Sequence, residues 1–87
     1  MSRSDRRASL SPEPLSTLPP GTRGRIVRVR RDLTARAERL AAFGVSPGAS
    51  IMVLQTFPGI VFECDQTELA VERLVAHAIL VDVEQRG

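Results

Sequence analysis

Two side chains with reactive groups occur once each in this sequence, the thiol of Cys64 and the imidazole of His77. A single cysteine excludes an internal disulfide, and a single histidine excludes a paired-histidine metal site or a reliable serine–histidine–aspartate triad. Cys64 falls on the predicted inward face of a strand, where a free cysteine behaves as a small hydrophobic residue. His77 lies between two alanines, which favours a structural or surface role. We therefore predict no catalytic residues and no enzymatic activity.

The carboxylate side chains are candidates for metal binding. Glu63, Asp65, Glu68 and Glu72 are close in sequence and could offer hard oxygen ligands to a divalent cation. The alternative is a solvated edge of a hairpin, because no imidazole or thiolate converges with them. We keep these four residues as weak metal candidates, predict no cofactor, and leave weak binding of a divalent metal open.

Arginine dominates the positive charge. All twelve cationic residues are arginine and the formal net charge is +2. Seven of them lie between Arg23 and Arg39, whereas the segment from Glu63 to Glu84 holds six acids against Arg73 alone. This segregation indicates either neutralisation within the molecule or a basic docking face. The absence of lysine and the presence of only three aromatic residues argue against nucleic-acid binding.

The chain of 87 residues allows one domain, with an aliphatic core and short strands. Residues 1–14 have the composition of a disordered tail, the domain is predicted over 15–84, and 85–87 form a C-terminal tail. Leu15 and Leu18 begin the buried part, followed by a turn. The alternation of Val27 and Val29 with Arg28 and Arg30 predicts a half-buried strand over 25–30. Ile26 is out of phase with this alternation, and a β-bulge near Val27 would bring Ile26 and Val29 to the same side, which leaves two arrangements open.

A short helix is predicted from Thr34 to Phe43, with Asp32 or Thr34 as its N-cap and Gly44 in the left-handed position after its end. The inward stripe is formed by Ala37, Leu40 and Ala41, so that Arg36 and Arg39 lie on the exposed face. The residues after the helix predict a structural turn built on Gly44, Pro47 and Gly48.

Four further strands are predicted from residue alternation. The strand 51–57 places Ile51, Val53 and Phe57 on one face and Met52 and Leu54 on the other, and should be central and covered on both sides. Strands 60–65 and 68–72 form a hairpin through Gln66 and Thr67, pairing Cys64 with Leu69. One or two helical turns over 71–78 lead into a closing strand with Ile79, Val81 and Val83. The fold class is mostly β, a small five-stranded β-barrel with one or two short helices.

The order of these motifs resembles the FeoA family of bacterial ferrous iron transport proteins. The resemblance covers about residues 15–83 and is most specific from Arg39 to Gly48. The residues that carry it are Leu18, Pro20, Gly21, Gly24, Ile26, Val29, Arg39, Leu40, Phe43, Gly44, Val45, Pro47, Gly48, Ile51 and Val53, followed by 67–71, Ala76, Ala78, Ile79 and Val81. One departure is Glu38, because family members often have a second basic residue at that position.

The resemblance implies an SH3-like barrel, a cytoplasmic location, and an accessory role beside the FeoB ferrous iron permease, a membrane protein with a cytoplasmic GTP-binding domain. We expect a non-enzymatic module that is peripheral to the inner membrane through this partner, with a homo-oligomer left open. Its partner-binding residues are predicted to be Arg36 and Arg39 on the helix, and Met52 and Leu54 in an incompletely covered apolar patch. The alternative is a small metal-sensing adaptor related to the C-terminal barrel of iron-dependent repressors.

Overall fold

The computed structural model describes residues 11–30 and 39–87. Residues 1–10 of the predicted tail lie outside them, as do Asp32, Thr34, Arg36 and Ala37 of the predicted helix. The strands are β1 (Glu13–Pro14), β2 (Arg23–Val29), β3 (Ser50–Gln55), β4 (Ile60–Cys64), β5 (Thr67–Val71) and β6 (Ile79–Gln85). The helical elements are two 3₁₀ helices, η1 (Leu15–Thr17) and η2 (Leu40–Phe43), and the α-helix α1 (Arg73–His77).

The described strands form one antiparallel sheet in the order β1-β6-β2-β3-β4-β5. Five of them correspond to the predicted strands, and the sixth is the two-residue β1, which pairs with β6 through Glu13 opposite Val81. Strand pairing therefore begins two residues before the predicted start of the domain and reaches Gln85 at its end. Arg86 forms an ion pair with Glu13, so the segment after β6 is joined to the neighbouring strand β1 through side chains.

The irregularity predicted in β2 is present. Ile26 pairs with Val81 and Arg28 pairs with Leu80, which leaves Val27 as the extra residue of the bulge. Ile26 is buried and Val29 is half-buried, whereas Val27 is exposed. Of the two arrangements left open by the sequence, the structure has the bulge, which brings Ile26 and Val29 to the same side. The simple alternation that groups Val27 with Val29 does not hold, because Val27 is exposed.

The β4–β5 hairpin differs from the prediction by two residues. Cys64 pairs with Thr67 and Phe62 pairs with Leu69, so the connecting residues are Asp65 and Gln66. Both have positive φ, 48° and 72°, as required by a two-residue turn that matches the twist of the strands. A shift of two residues keeps every side chain on its predicted face. The predicted pairing of Cys64 with Leu69 is therefore wrong, although Cys64 and Phe62 are buried as expected.

Two residues expected to face inward do not. Phe57 is 83% exposed, because β3 ends at Gln55 after a register shift against β4, so the alternation no longer applies at Phe57. Ala41 is exposed within η2, where the tighter 3₁₀ winding places Leu40 alone among its four residues against the core. The prediction that β3 is central is confirmed, but its outer face is only partly covered, since Leu54 is exposed.

The core is aliphatic, as the composition predicts, with Phe62 as its one aromatic residue among those the structure describes. It is built from η1, the sheet and α1, whose Val75 and Ala76 are buried. The fully buried side chains of largest volume are Phe62, Leu15, Leu18, Ile26, Ile60 and Ile79. Within the described ranges, no helix has the length and apolar character needed to cross a membrane.

Candidate partner-binding surface

Arg39 is placed directly before η2, where it is the N-cap residue. Its side chain is exposed and forms no ion pair with any carboxylate that the structure describes. It lies at the rim of a recess of about 230 Å³ whose other lining residues are Leu40, Ala70, Val71, Glu72 and Val75. The charge is therefore available to a partner, beside a largely apolar surface. Arg36, predicted with it, lies outside the described residues.

Met52 and Leu54 lie on the outer face of β3. Met52 is half-buried between Arg23 on β2 and Glu63 on β4, which are its direct cross-strand neighbours. Leu54 is 39% exposed. Met52 lines a second recess, of about 310 Å³, that does not include Arg39. Arg39 and Met52 therefore line two separate recesses, and Leu54 is in the lining of neither.

The four acidic metal candidates are spread along the β4–β5 hairpin and its end. Glu63 lies directly opposite Glu68 in the antiparallel pair. Asp65 is in the connecting turn, and Glu72 follows the last residue of β5. Across residues 11–30 and 39–87, no group of three or more histidine, cysteine, aspartate or glutamate side chains is arranged to hold a metal ion.

The turn that connects η2 to β3 has the backbone geometry predicted for it. Gly44 and Gly48 have φ values of 91° and 98°, in the left-handed region. The amide of Gly44 donates to the carbonyl oxygen of Ala41, and the amide of Gly48 donates to that of Ile26 over 2.7 Å. Pro47 is exposed at the tip. The second bond fixes the turn against β2, so these glycines position the surface beside that strand.

The two reactive side chains have structural surroundings. Cys64 is fully buried and its thiol donates to the carbonyl oxygen of Gly44 over 3.4 Å. Burial raises the pKa of this thiol, and the nearby carboxylate of Asp65 raises it further. The exposed ring of His77 is 3.2 Å from the hydroxyl of Ser16, a contact that joins α1 to η1.

A cleft beside the second half of β2 was not predicted. It has a volume of about 160 Å³, and its lining residues are Val27, Arg28, Val29, Ala41, Val45, Ser46 and Pro47. Pairing of β2 with β3 ends at Arg25, while pairing with β6 continues to Val29. The two strands thus diverge, and η2 and the following turn form the opposite wall. The bulge at Val27 directs an apolar side chain outward here, but no sequence pattern specifies the spacing between the two strands.

Comparison with known proteins identifies the family. The family model for the FeoA domain matches residues 13–83, which includes all six strands except the end of β6. The chain belongs to the FeoA family. This confirms the resemblance found in the sequence and links the chain to ferrous iron transport. No curated protein sequence matches the chain at a significant level.

Solved structures agree with this assignment. An iron uptake regulatory protein, FeoA, is 30% identical and has a TM-score of 0.73, with 85% of this chain and 99% of that chain covered. The zinc complex of Stenotrophomonas maltophilia FeoA, described as a procaryotic SH3 domain protein, is 24% identical, with a TM-score of 0.72 and coverage of 84% and 96%. The predicted mostly β, SH3-like fold is thereby confirmed for this FeoA chain.

The same fold is found in an iron-dependent repressor. The T. acidophilum IdeR structure is 23% identical, with a TM-score of 0.72. The match covers 85% of this chain but 35% of the repressor. At this level of identity the likeness concerns the fold alone. The matched region is about a third of the longer IdeR chain.

Proposed function

We propose that this protein is a non-enzymatic interaction module that docks on a FeoB-type ferrous iron permease or on its cytoplasmic GTP-binding domain. The observation that carries the proposal is the FeoA family match over residues 13–83, because this family is linked to ferrous iron transport. In this proposal the protein acts in the cytoplasm and is peripheral to the inner membrane through its partner.

The exposed side chains support a docking role. Phe57 is 83% exposed, Leu74 is 58% exposed and Phe43 is 56% exposed. Large apolar side chains that remain in solvent on a small domain commonly become covered by a partner. Arg39 adds a positive charge beside the apolar recess of Leu40 and Val75. Such a combination suits a partner surface that presents both carboxylates and apolar groups.

Substitution of Arg39 tests the docking proposal. A pull-down with the cytoplasmic domain of the permease should be weakened by Arg39→Glu, and more strongly by Arg36→Glu combined with Arg39→Glu. The matched control is Arg39→Lys, which keeps the charge and should retain most of the binding. Urea unfolding of each variant checks that the fold is intact. Unchanged binding by the double variant would remove this part of the molecule from the interface.

The alternative function, a metal-sensing adaptor, stays a prediction. Its support is the shared fold with the repressor IdeR, which carries no residue-level information at 23% identity. Titration of the isolated protein with ferrous iron separates the two functions. Stoichiometric binding would favour the sensor, and its absence would leave the docking proposal standing.

A further inference from the structure

The cleft beside the second half of β2 is large enough to hold one side chain. Its volume is about 160 Å³, whereas pockets that enclose small-molecule ligands or cofactors measure about 300–1,000 Å³. Val27 and Val29 form one wall, and Ala41, Val45 and Pro47 form the other. A cleft of this size and composition accepts one aliphatic side chain from a larger molecule.

The charge that the structure describes at the cleft is positive. Arg28 is the one charged residue among the described residues of its lining, is exposed, and forms no ion pair with a described carboxylate. Arg25 lies close by, because its guanidinium donates to the carbonyl oxygen of Gly48 over 3.0 Å, next to Pro47. The second contact of Arg25 is Glu84 at 3.7 Å, a pair whose side chains are both more than half exposed. The rim is therefore complementary to carboxylates.

The regular pairing of β2 on its β3 side also ends at this point. The last hydrogen bonds on the β3 side are made by Ile26, whose amide donates to Ala49 and whose carbonyl accepts from Gly48. Within the described ranges, no strand pairs with Val27–Val29 on that side. An extended segment that runs along a strand edge and inserts alternate side chains into a pocket is a common form of peptide recognition.

We propose that this cleft binds an extended acidic peptide segment that inserts one aliphatic side chain between Val27 and Ala41 and directs neighbouring carboxylates to Arg28 and Arg25. The apolar walls bind the aliphatic side chain, and the two guanidinium groups select acidic neighbours. The inference deepens the docking function proposed above. We assign the bound segment to the permease, and this assignment rests on the proposed docking function.

The test uses the full chain and a synthetic peptide, Ac-EDILDE-NH2, followed by amide chemical shifts. Binding should shift the amides of Val27, Val29, Ala41 and Val45. Ala41→Leu, which fills the cleft from an exposed position, should weaken peptide binding at least about tenfold, because the pocket for the aliphatic side chain is lost. The matched control is Ala42→Leu, an exposed neighbour outside the cleft lining, whose affinity should stay within about twofold of the parent.

A second pair of variants tests the charge. Arg28→Glu should weaken peptide binding about tenfold, whereas Arg23→Glu, the same change on the same strand but outside the cleft, should have an effect within about twofold. A peptide in which lysine replaces each acid should not bind. Equal binding of the two peptides, equal effects of the two arginine variants, or shifts confined to another surface would each overturn the proposal.

Three further outcomes separate this proposal from others. If the protein alone forms a dimer that Ala41→Leu abolishes, the cleft binds a second copy and the peptide proposal is wrong. If the permease domain binds the parent and Ala41→Leu equally, the docking function stands and the cleft is not its site. If the acidic peptide binds at the cleft but the permease domain does not bind at all, the cleft proposal stands and the docking function fails.

Discussion

The thiol of Cys64 in β4 lies 3.4 Å from the carbonyl oxygen of Gly44, to which it donates a hydrogen bond. Gly44 follows η2 and has a left-handed φ. The orientation of its carbonyl group therefore depends on a backbone conformation that residues other than glycine rarely adopt. The contact joins the end of β4 to the segment that forms one wall of the β2 cleft. A protonated thiol is needed for this bond, and burial keeps the thiol protonated by raising its pKa.

The first prediction concerns pH. Because the folded state raises the thiol pKa of Cys64, the unfolded chain loses this proton at a lower pH than the folded chain. The free energy of unfolding should therefore be unaffected by this group below its ordinary pKa of 9.0 and should fall as pH rises above it. Urea unfolding from about pH 7 to about pH 10 measures this effect. Cys64→Ala should lack this part of the decline, and parallel curves would contradict the prediction.

The second prediction concerns the backbone of Gly44. Replacement by valine should lower the free energy of unfolding by about 1–2 kcal/mol, because φ is 91° there. The loss should be conformational rather than steric, since an added Cβ would meet only the Asp65 carboxylate, at 4.0 Å. Gly59→Val is the matched control, because no atom lies within 4 Å of its added Cβ and its φ is not in the left-handed region. Similar losses for both variants would show that Gly44 is not a conformational requirement.

The third prediction concerns the β4–β5 turn. Asp65 and Gln66 both have positive φ, and Asn-Gly is the preferred pair for such a two-residue turn. Asp65→Asn combined with Gln66→Gly should raise the free energy of unfolding by about 0.5–1 kcal/mol. Thermal or urea unfolding measures the change. A loss of stability would mean that the native side chains make contacts that outweigh backbone strain.

The difference between the predicted and observed hairpin shows how far residue alternation can determine register. Alternation fixes which face each side chain occupies, and the buried Cys64 and Phe62 agree with it. It does not distinguish registers that differ by two residues, because both keep the same faces. The turn decides between them, and a glutamine in the sequence does not indicate that its φ will be positive. The register therefore depended on a conformation that composition does not reveal.

The fourth prediction concerns the outer face of β3. Leu54→Ser should change the free energy of unfolding by less than about 1 kcal/mol, because the side chain is 39% exposed. Val53→Ser, at the adjacent and fully buried position, should cost at least about 2 kcal/mol. If the protein self-associates in concentration-dependent sedimentation, Leu54→Ser should reduce that association without unfolding. Collapse of the fold in Leu54→Ser would show that Leu54 belongs to the core.

The candidate surfaces were predicted less completely than the fold. Exposure of Arg39 followed from the inward position of Leu40, which the structure confirms as buried. The exposure of Leu54 agrees with the expected incompletely covered patch, and the expectation that β3 is covered on both sides is wrong at this residue. The β2 cleft could not be predicted, because it arises where β2 and β3 diverge after Arg25 and where η2 exposes Ala41. Such a cavity depends on the spacing between elements, which local patterns do not specify.

The central claim is that this FeoA protein docks on the cytoplasmic GTP-binding domain of a ferrous iron permease. Its most direct test is isothermal titration calorimetry of the purified chain into that domain, taken from the same organism. Docking predicts saturable one-to-one binding. Arg36→Glu combined with Arg39→Glu should weaken this binding, and the Arg39→Lys variant should retain it. Absence of binding by a chain that unfolds cooperatively in urea, together with stoichiometric binding of ferrous iron to the chain alone, would contradict the account.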